Sequence, residues 1–115
     1  GKIQKISEKI NIFSRCHYIV CTSVREGWGI IVSEAGVCGT PAIVYKINGL
    51  KDAVNQGRSG IISNPNILDL SIKINNAIKI IETSRYKDLQ TRTIEFSKKT
   101  NVKETFNLLY KILNK

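Results

Sequence analysis

Tyr18-Ile19-Val20-Cys21-Thr22-Ser23-Val24 runs straight into Arg25-Glu26-Gly27-Trp28-Gly29 and then into Ile30 to Cys38, and these three segments decide the fold. The first is apolar, rich in β-branched residues and too brief for a helix, which predicts a buried strand. The second is a glycine-marked turn. The third reads as a helix, stopped by Gly39-Thr40-Pro41 with the usual glycine-then-proline order.

Working outward, the same alternation continues on both sides. Upstream, Ile6, Ile10 and Phe13 form a helical stripe within residues 5–15. Downstream, Ala42-Ile43-Val44-Tyr45 is a second buried strand, residues 50–56 a short helix ended by Gly57, and Gly60-Ile61-Ile62-Ser63 a third strand. Asn66, with Asp69 three residues on, caps a long helix whose apolar face is Ile67, Leu70, Ile74, Ala77 or Ile78, and Ile81. Residues 86–97 are a weaker helical stretch. Asn101 and Glu104 open a last helix with Val102, Phe106, Leu109 and Leu113 on its apolar face, expected to pack on this core. Apolar strands separated by helices predict an α/β fold: a partial Rossmann-like parallel sheet with helices on both faces.

With 115 residues the chain has room for one domain of common size. Hydrophobic residues make up 42% and charged residues 23%, a globular composition. No apolar run approaches the roughly 18 residues of a membrane span, and the N-terminal segment lacks the apolar core of a signal peptide, so a soluble, cytoplasmic chain is expected. The 3 cysteines, Cys16, Cys21 and Cys38, are odd in number and lack metal-ligand spacing, which predicts buried free thiols and no metal site. Lysine and arginine number 18 against 9 carboxylates, giving a net charge of +9. That surplus suits nucleic acid, an acidic membrane surface or an anionic small substrate, and does not choose among them. It also fits an unpartnered solvated surface, because isoleucine, lysine and asparagine supply 42 residues, as an AT-rich coding sequence would.

Ligands of open α/β sheets gather at the carboxyl ends of the strands, which directs attention to the turn after Val24. There the glycines let backbone approach a ligand closely, and the following helix begins with free N–H groups and about half a positive charge. An anion fits such a helix start. Glu26 and Glu34 flank it, one before the helix and one within it. Gly36 and Gly39 near the end of so short a helix demand close packing, on the sheet or on a ligand. A dinucleotide fingerprint fails, because Val32 stands where the third glycine belongs and no acidic residue ends a strand about 20 residues on. No Gly-Lys-Ser/Thr occurs, so a P-loop is excluded as well. His17, the single histidine, reads as structural, and no serine or cysteine has another base to pair with.

Residues 22–60 resemble the retaining glycosyltransferases of GT-B architecture, the group 1 family. The resemblance is carried by Thr22 through Gly29, by Glu26 and Glu34 as an E-x7-E motif, by Glu34-Ala35 and Gly39-Thr40-Pro41-Ala42-Ile43, by Asn48-Gly49-Leu50-Lys51-Asp52-Ala53-Val54, and by Gly57 and Gly60 in order and spacing. It implies that the whole chain, 1–115, is part of a C-terminal nucleotide-sugar-binding domain of a hexosyltransferase-type enzyme acting with retention. Catalytic Glu26 would accept hydrogen bonds from donor-sugar hydroxyls. Backbone N–H groups of Gly27, Trp28, Gly29, Ile30 and Ile31 would hold sugar and diphosphate oxygens, and Glu34 would bond the ribose hydroxyls.

No cofactor and no divalent metal is expected, the nucleotide-sugar being a substrate. Thr22 replaces a proline common in the family and Asp52 a frequent glutamate. The family's diphosphate-gripping arginine and lysine lie upstream of Gly1. The N-terminal acceptor domain is absent from these residues and is the expected partner, so the chain alone should be inactive, and no nucleic-acid partner is expected. Peripheral association with the membrane's inner face is compatible with the full-length enzyme. The rival reading is a non-catalytic α/β interaction domain that binds a polyanion, nucleic acid or anionic lipid, through its basic surface; steep salt dependence would distinguish it.

Overall fold

Three short apolar runs become strands, and each is followed by a helix. The computed structural model describes residues 2–23 and 28–100. Its elements are α1 (Lys2–Ser14), β1 (Ile19–Cys21), α2 (Trp28–Val37), β2 (Ala42–Tyr45), α3 (Leu50–Ala53), a 3-10 turn at Asn55–Gly57, β3 (Gly60–Ser63), α4 (Ile67–Lys79) and α5 (Ser84–Thr100). The strands lie in the order β1-β2-β3 and pair in parallel, Ile19 opposite Ala42 and Ala42 opposite Gly60. The α/β architecture with helices flanking a parallel sheet is the expected one. Because all strands run the same way, their carboxyl ends share one edge of the sheet.

The core sits on the central strand. Ala42, Ile43 and Val44 are buried, and Cys21, Val32, Leu50 and Val54 close around Ala42 and Val44. Each fully buried Val, Leu or Ile contributes about 1.5–3 kcal/mol over the exposed side chain. Gly60 is needed where β3 passes Ala42 and Val54: a Cβ there would lie 2.8 Å from the Ala42 carbonyl oxygen and 2.6 Å from Val54 Cγ1. Helix α2 ends on Gly39, whose φ of +83° suits glycine. The Gly39 N–H donates to the Gly36 carbonyl and the Thr40 N–H to the Ala35 carbonyl, the paired bonds that terminate a helix at a left-handed glycine. Thr40 is itself buried, and its hydroxyl donates to the Phe13 carbonyl at 2.6 Å, tying the end of α1 to the entry of β2.

Several local expectations are corrected. Of the expected strand Tyr18–Val24, the structure shows Ile19–Cys21, with Tyr18, Thr22 and Ser23 outside it and Val24 outside the described residues; Tyr18 donates its hydroxyl to the Ala77 carbonyl at 2.9 Å and packs edge-on against Tyr86. As an edge strand β1 is not covered throughout, and its Val20 is 44% exposed. Asn66 caps α4 as expected, accepting from the Asp69 N–H at 2.8 Å, while Asp69 Oδ2 accepts from the Asn64 N–H at 2.7 Å. Ile67, however, is 78% exposed, because it enters the helix on the side away from the sheet, and Ala77 rather than Ile78 is buried. The weak stretch at 86–97 lies inside a 17-residue helix, α5. Of the three free thiols only Cys21 is buried; Cys38 is partly buried and Cys16 exposed. The expected helix after Asn101, with Val102, Phe106, Leu109 and Leu113, lies outside the described residues. Among the described residues no helix is long and apolar enough to cross a membrane.

Candidate functional site

The carboxyl ends of β1 and β2 are followed by Thr22-Ser23 and by Lys46-Ile47-Asn48, all at one edge of the sheet. Glu26 and Gly27 lie outside the described residues, as do Val24 and Arg25. Trp28, Gly29, Ile30 and Ile31 form the first turn of α2, whose leading N–H groups have no carbonyl of their own helix to bond. Ile30 is exposed and Ile31 half-buried. Glu34 stands six residues beyond Trp28, about 9 Å along the axis at about 1.5 Å per residue. Ile30 and Glu34, four residues apart, share one face of α2.

Glu34 is the unusual member of this set. Its side chain is only 4% exposed, and among the described residues its ion-pair partner is Lys9 of α1, with Nζ 3.7 Å from Oε1. That separation is an ion pair and too long for a hydrogen bond. Among the described residues nothing donates a hydrogen bond to either oxygen of this carboxylate, although a carboxylate offers about four acceptor positions. A buried polar group left unsatisfied costs about 1–3 kcal/mol, and more when charged. Its charge is felt nearby: burial raises the Cys38 thiol above its ordinary range, a hydrogen bond with Ser14 works against this, and the Glu34 carboxylate adds to the rise.

The packing need behind Gly36 is met by neither the sheet nor a ligand. A Cβ at Gly36 would overlap Ser97 Oγ of α5 and come within 3.1 Å of Ser97 Cβ and 3.2 Å of Thr93 Cγ2. The glycine lets α2 and α5 close on each other, and α5 in turn holds α2 against the sheet. His17 is exposed; its carbonyl accepts from the Tyr86 hydroxyl at 2.7 Å and its ring lies edge-on to Tyr86.

Two features escaped the sequence reading. Lys9 reaches Glu34 from another helix, and no local spacing signals that. At the same edge of the sheet, Lys46, Lys51 and Lys73 line an open cavity of about 360 Å³ together with Asn64 and Asp69. Lys46, immediately after β2, was findable from its place at a strand's carboxyl end.

The model of the glycosyl transferases group 1 family matches residues 2–100. The chain belongs to that family. An uncharacterized glycosyltransferase of Methanocaldococcus jannaschii is 32% identical over 99 residues, 84% of this chain and 27% of its own length. A D-inositol 3-phosphate glycosyltransferase of Paenarthrobacter aurescens (strain TC1) is 36% identical over 50 residues, 44% of this chain and 12% of its own. One of the same name from Streptomyces bingchenggensis is 43% identical over 44 residues, 38% of this chain and 10% of its own. The group 1 glycosyltransferase chain thus spans no more than about a quarter of the length of these relatives. No solved structure matches it significantly.

Proposed function

We propose that this chain is the donor-side, C-terminal part of a retaining GT-B glycosyltransferase, and that the β1–α2 crevice holds a nucleotide-activated hexose. The observation that carries the reading is Glu34: a buried carboxylate with no hydrogen-bond donor among the described residues, placed along a helix that starts at the carboxyl edge of a parallel sheet. Vicinal ribose hydroxyls supply two donors to one carboxylate and would satisfy it.

The diphosphate would lie at the first turn of α2. As the bond from the anomeric carbon to the diphosphate oxygen breaks, negative charge gathers on that oxygen, and the N–H groups of Trp28 to Ile31 with the helix dipole stabilise it where it develops. Glu26 would accept from the sugar hydroxyls and fix the ring. No metal is assigned a role. The acceptor would come from a second domain closing over this edge, so the chain alone binds donor and does not turn it over. In the full-length enzyme the site would be cytoplasmic, with peripheral membrane association compatible.

The test is calorimetry or saturation-transfer NMR with UDP-, GDP- and ADP-hexoses, on the chain and on Glu34→Gln. One donor is expected to bind, and Glu34→Gln to weaken it about tenfold, the equivalent of one charge-assisted hydrogen bond. Absence of binding by all three at millimolar concentration, or equal binding by Glu34→Gln, overturns the reading.

A further inference from the structure

Away from the donor edge, the two long C-terminal helices of the described region enclose a second cavity, of about 530 Å³. It lies against Gly60 and Ile61, the first two residues of β3, and so toward the amino ends of the strands, the side opposite the crevice. Its floor is apolar: Ala77 and Leu89 are buried and Ile61 is partly buried. Its rim carries Lys73 and Lys79 from α4 and Arg85, Asp88 and Arg92 from α5. Four cations thus face one carboxylate around a concave surface of the size that takes small organic ligands.

The partners of these groups sharpen the point. Lys73 pairs with Asp69 at 3.7 Å, and Arg92 donates from Nε to the Arg58 carbonyl at 2.7 Å. Asp88 sits three residues from Arg85 and four from Arg92 on one helix, spacings that favour an ion pair, yet it bridges neither. Among the described residues Lys79 and Arg85 have no ion-pair partner at all. Like charges converging on one concavity raise its positive potential, and the start of α5 adds the positive end of a helix dipole. A guanidinium offers a planar fork of donors that matches phosphate, and an ammonium beside it supplies a compact charge.

We infer that this cavity binds a soluble phosphate monoester carrying an apolar group, at a site distinct from the donor crevice. The phosphate sits between Lys79 and Arg85, and the apolar group lies on Ala77 and Leu89. The inference is independent of the donor assignment, because Lys79, Arg85, Ala77 and Leu89 line only this cavity, Lys73 alone being shared with the cavity at the donor edge.

Phenyl phosphate is the probe, titrated into the 15N-labelled chain with inorganic phosphate and phenol as its two halves. The amides of Ile61, Ala77 and Leu89 are expected to shift saturably, with phenyl phosphate binding at least about tenfold more tightly than either half. The Lys79→Gln, Arg85→Gln double variant, altered only at exposed side chains, is expected to weaken it about tenfold or more. Lys87→Gln, on the same helix but outside the cavity, and Glu34→Gln are expected to leave it within about twofold. Failure to saturate by about 10 mM, an equal loss with Lys87→Gln, or shifts centred on Trp28 to Ile31 would each overturn the inference.

Discussion

Gly36 of α2 and Ser97 of α5 approach so closely that no methyl group fits between them. A Cβ on Gly36 would overlap the Ser97 hydroxyl and press on Thr93, both side chains being buried. Helix propensity alone favours Gly36→Ala by about 1 kcal/mol. Overpacking a closed interface costs about 1–3 kcal/mol, so Gly36→Ala is expected to destabilise the chain on balance. Ser97→Ala removes the overlapping oxygen and should return much of that loss in the double variant. Denaturant midpoints for the four members of this cycle measure the coupling; strict additivity would show that the contact is unimportant.

The Lys9–Glu34 pair predicts an asymmetry. Lys9→Met strands a buried carboxylate and is expected to lower stability by about 1–2 kcal/mol, the modest figure reflecting that Lys9 is half exposed and 3.7 Å away. Adding Glu34→Gln removes the charge and should restore most of that stability. Thermal unfolding of both variants at neutral pH is the measurement, and a neutral effect of Lys9→Met would mean that solvent already screens the carboxylate.

Burial, with the neighbouring Tyr86 adding to it, pushes the Tyr18 phenol from the ordinary 10.0 up to about 12. An unfolded chain releases this proton near 10.0 while the folded chain keeps it until about 12. The folded state therefore binds more protons across that window, and stability falls as pH rises through it. Burial raises Tyr86 in the same direction. Tyr18→Phe should give a shallower alkaline decline between those two values than the parent chain, read by fluorescence-monitored unfolding at stepped pH. An identical decline would remove Tyr18 as its source.

The three thiols should separate by reactivity. Cys16 is exposed and is expected to react first with a disulfide reagent. Cys21 is buried and its thiol is pushed up to about 11, so it should react only when the chain opens, and Cys38 at an intermediate rate. Counting titrated thiols against time in native buffer and in denaturant checks the order. Early modification of Cys21 would show that β1, an edge strand, opens readily.

Much of the fold was legible before any coordinates. Asn66 caps α4 through the Asp69 amide, Gly39 ends α2, and Ala42–Tyr45 and Gly60–Ser63 are the strands their composition suggested. Tyr18 falls outside the strand because parallel pairing with β2 begins at Ile19 opposite Ala42, a register that composition does not specify. Ile67 was misjudged because helical periodicity places a residue on a face without saying whether the sheet lies beneath it. At the candidate site, the strand–glycine–helix pattern singled out Glu34 and the first turn of α2, whereas the lack of a hydrogen-bond donor to Glu34 among the described residues had no sequence signal.

Capping residues, left-handed glycines and apolar periods act within a turn or two of their own position, so the residues alone determined the order of elements, the parallel α/β class and the family. What α1 brings to α2, and what α4 and α5 bring to each other, follows from how helices settle on a sheet. No period within one helix specifies which side chain of another will meet it. Lys9 beside Glu34, Ser97 against Gly36, and the rim shared by Lys79 and Arg85 were therefore decided only by the tertiary structure.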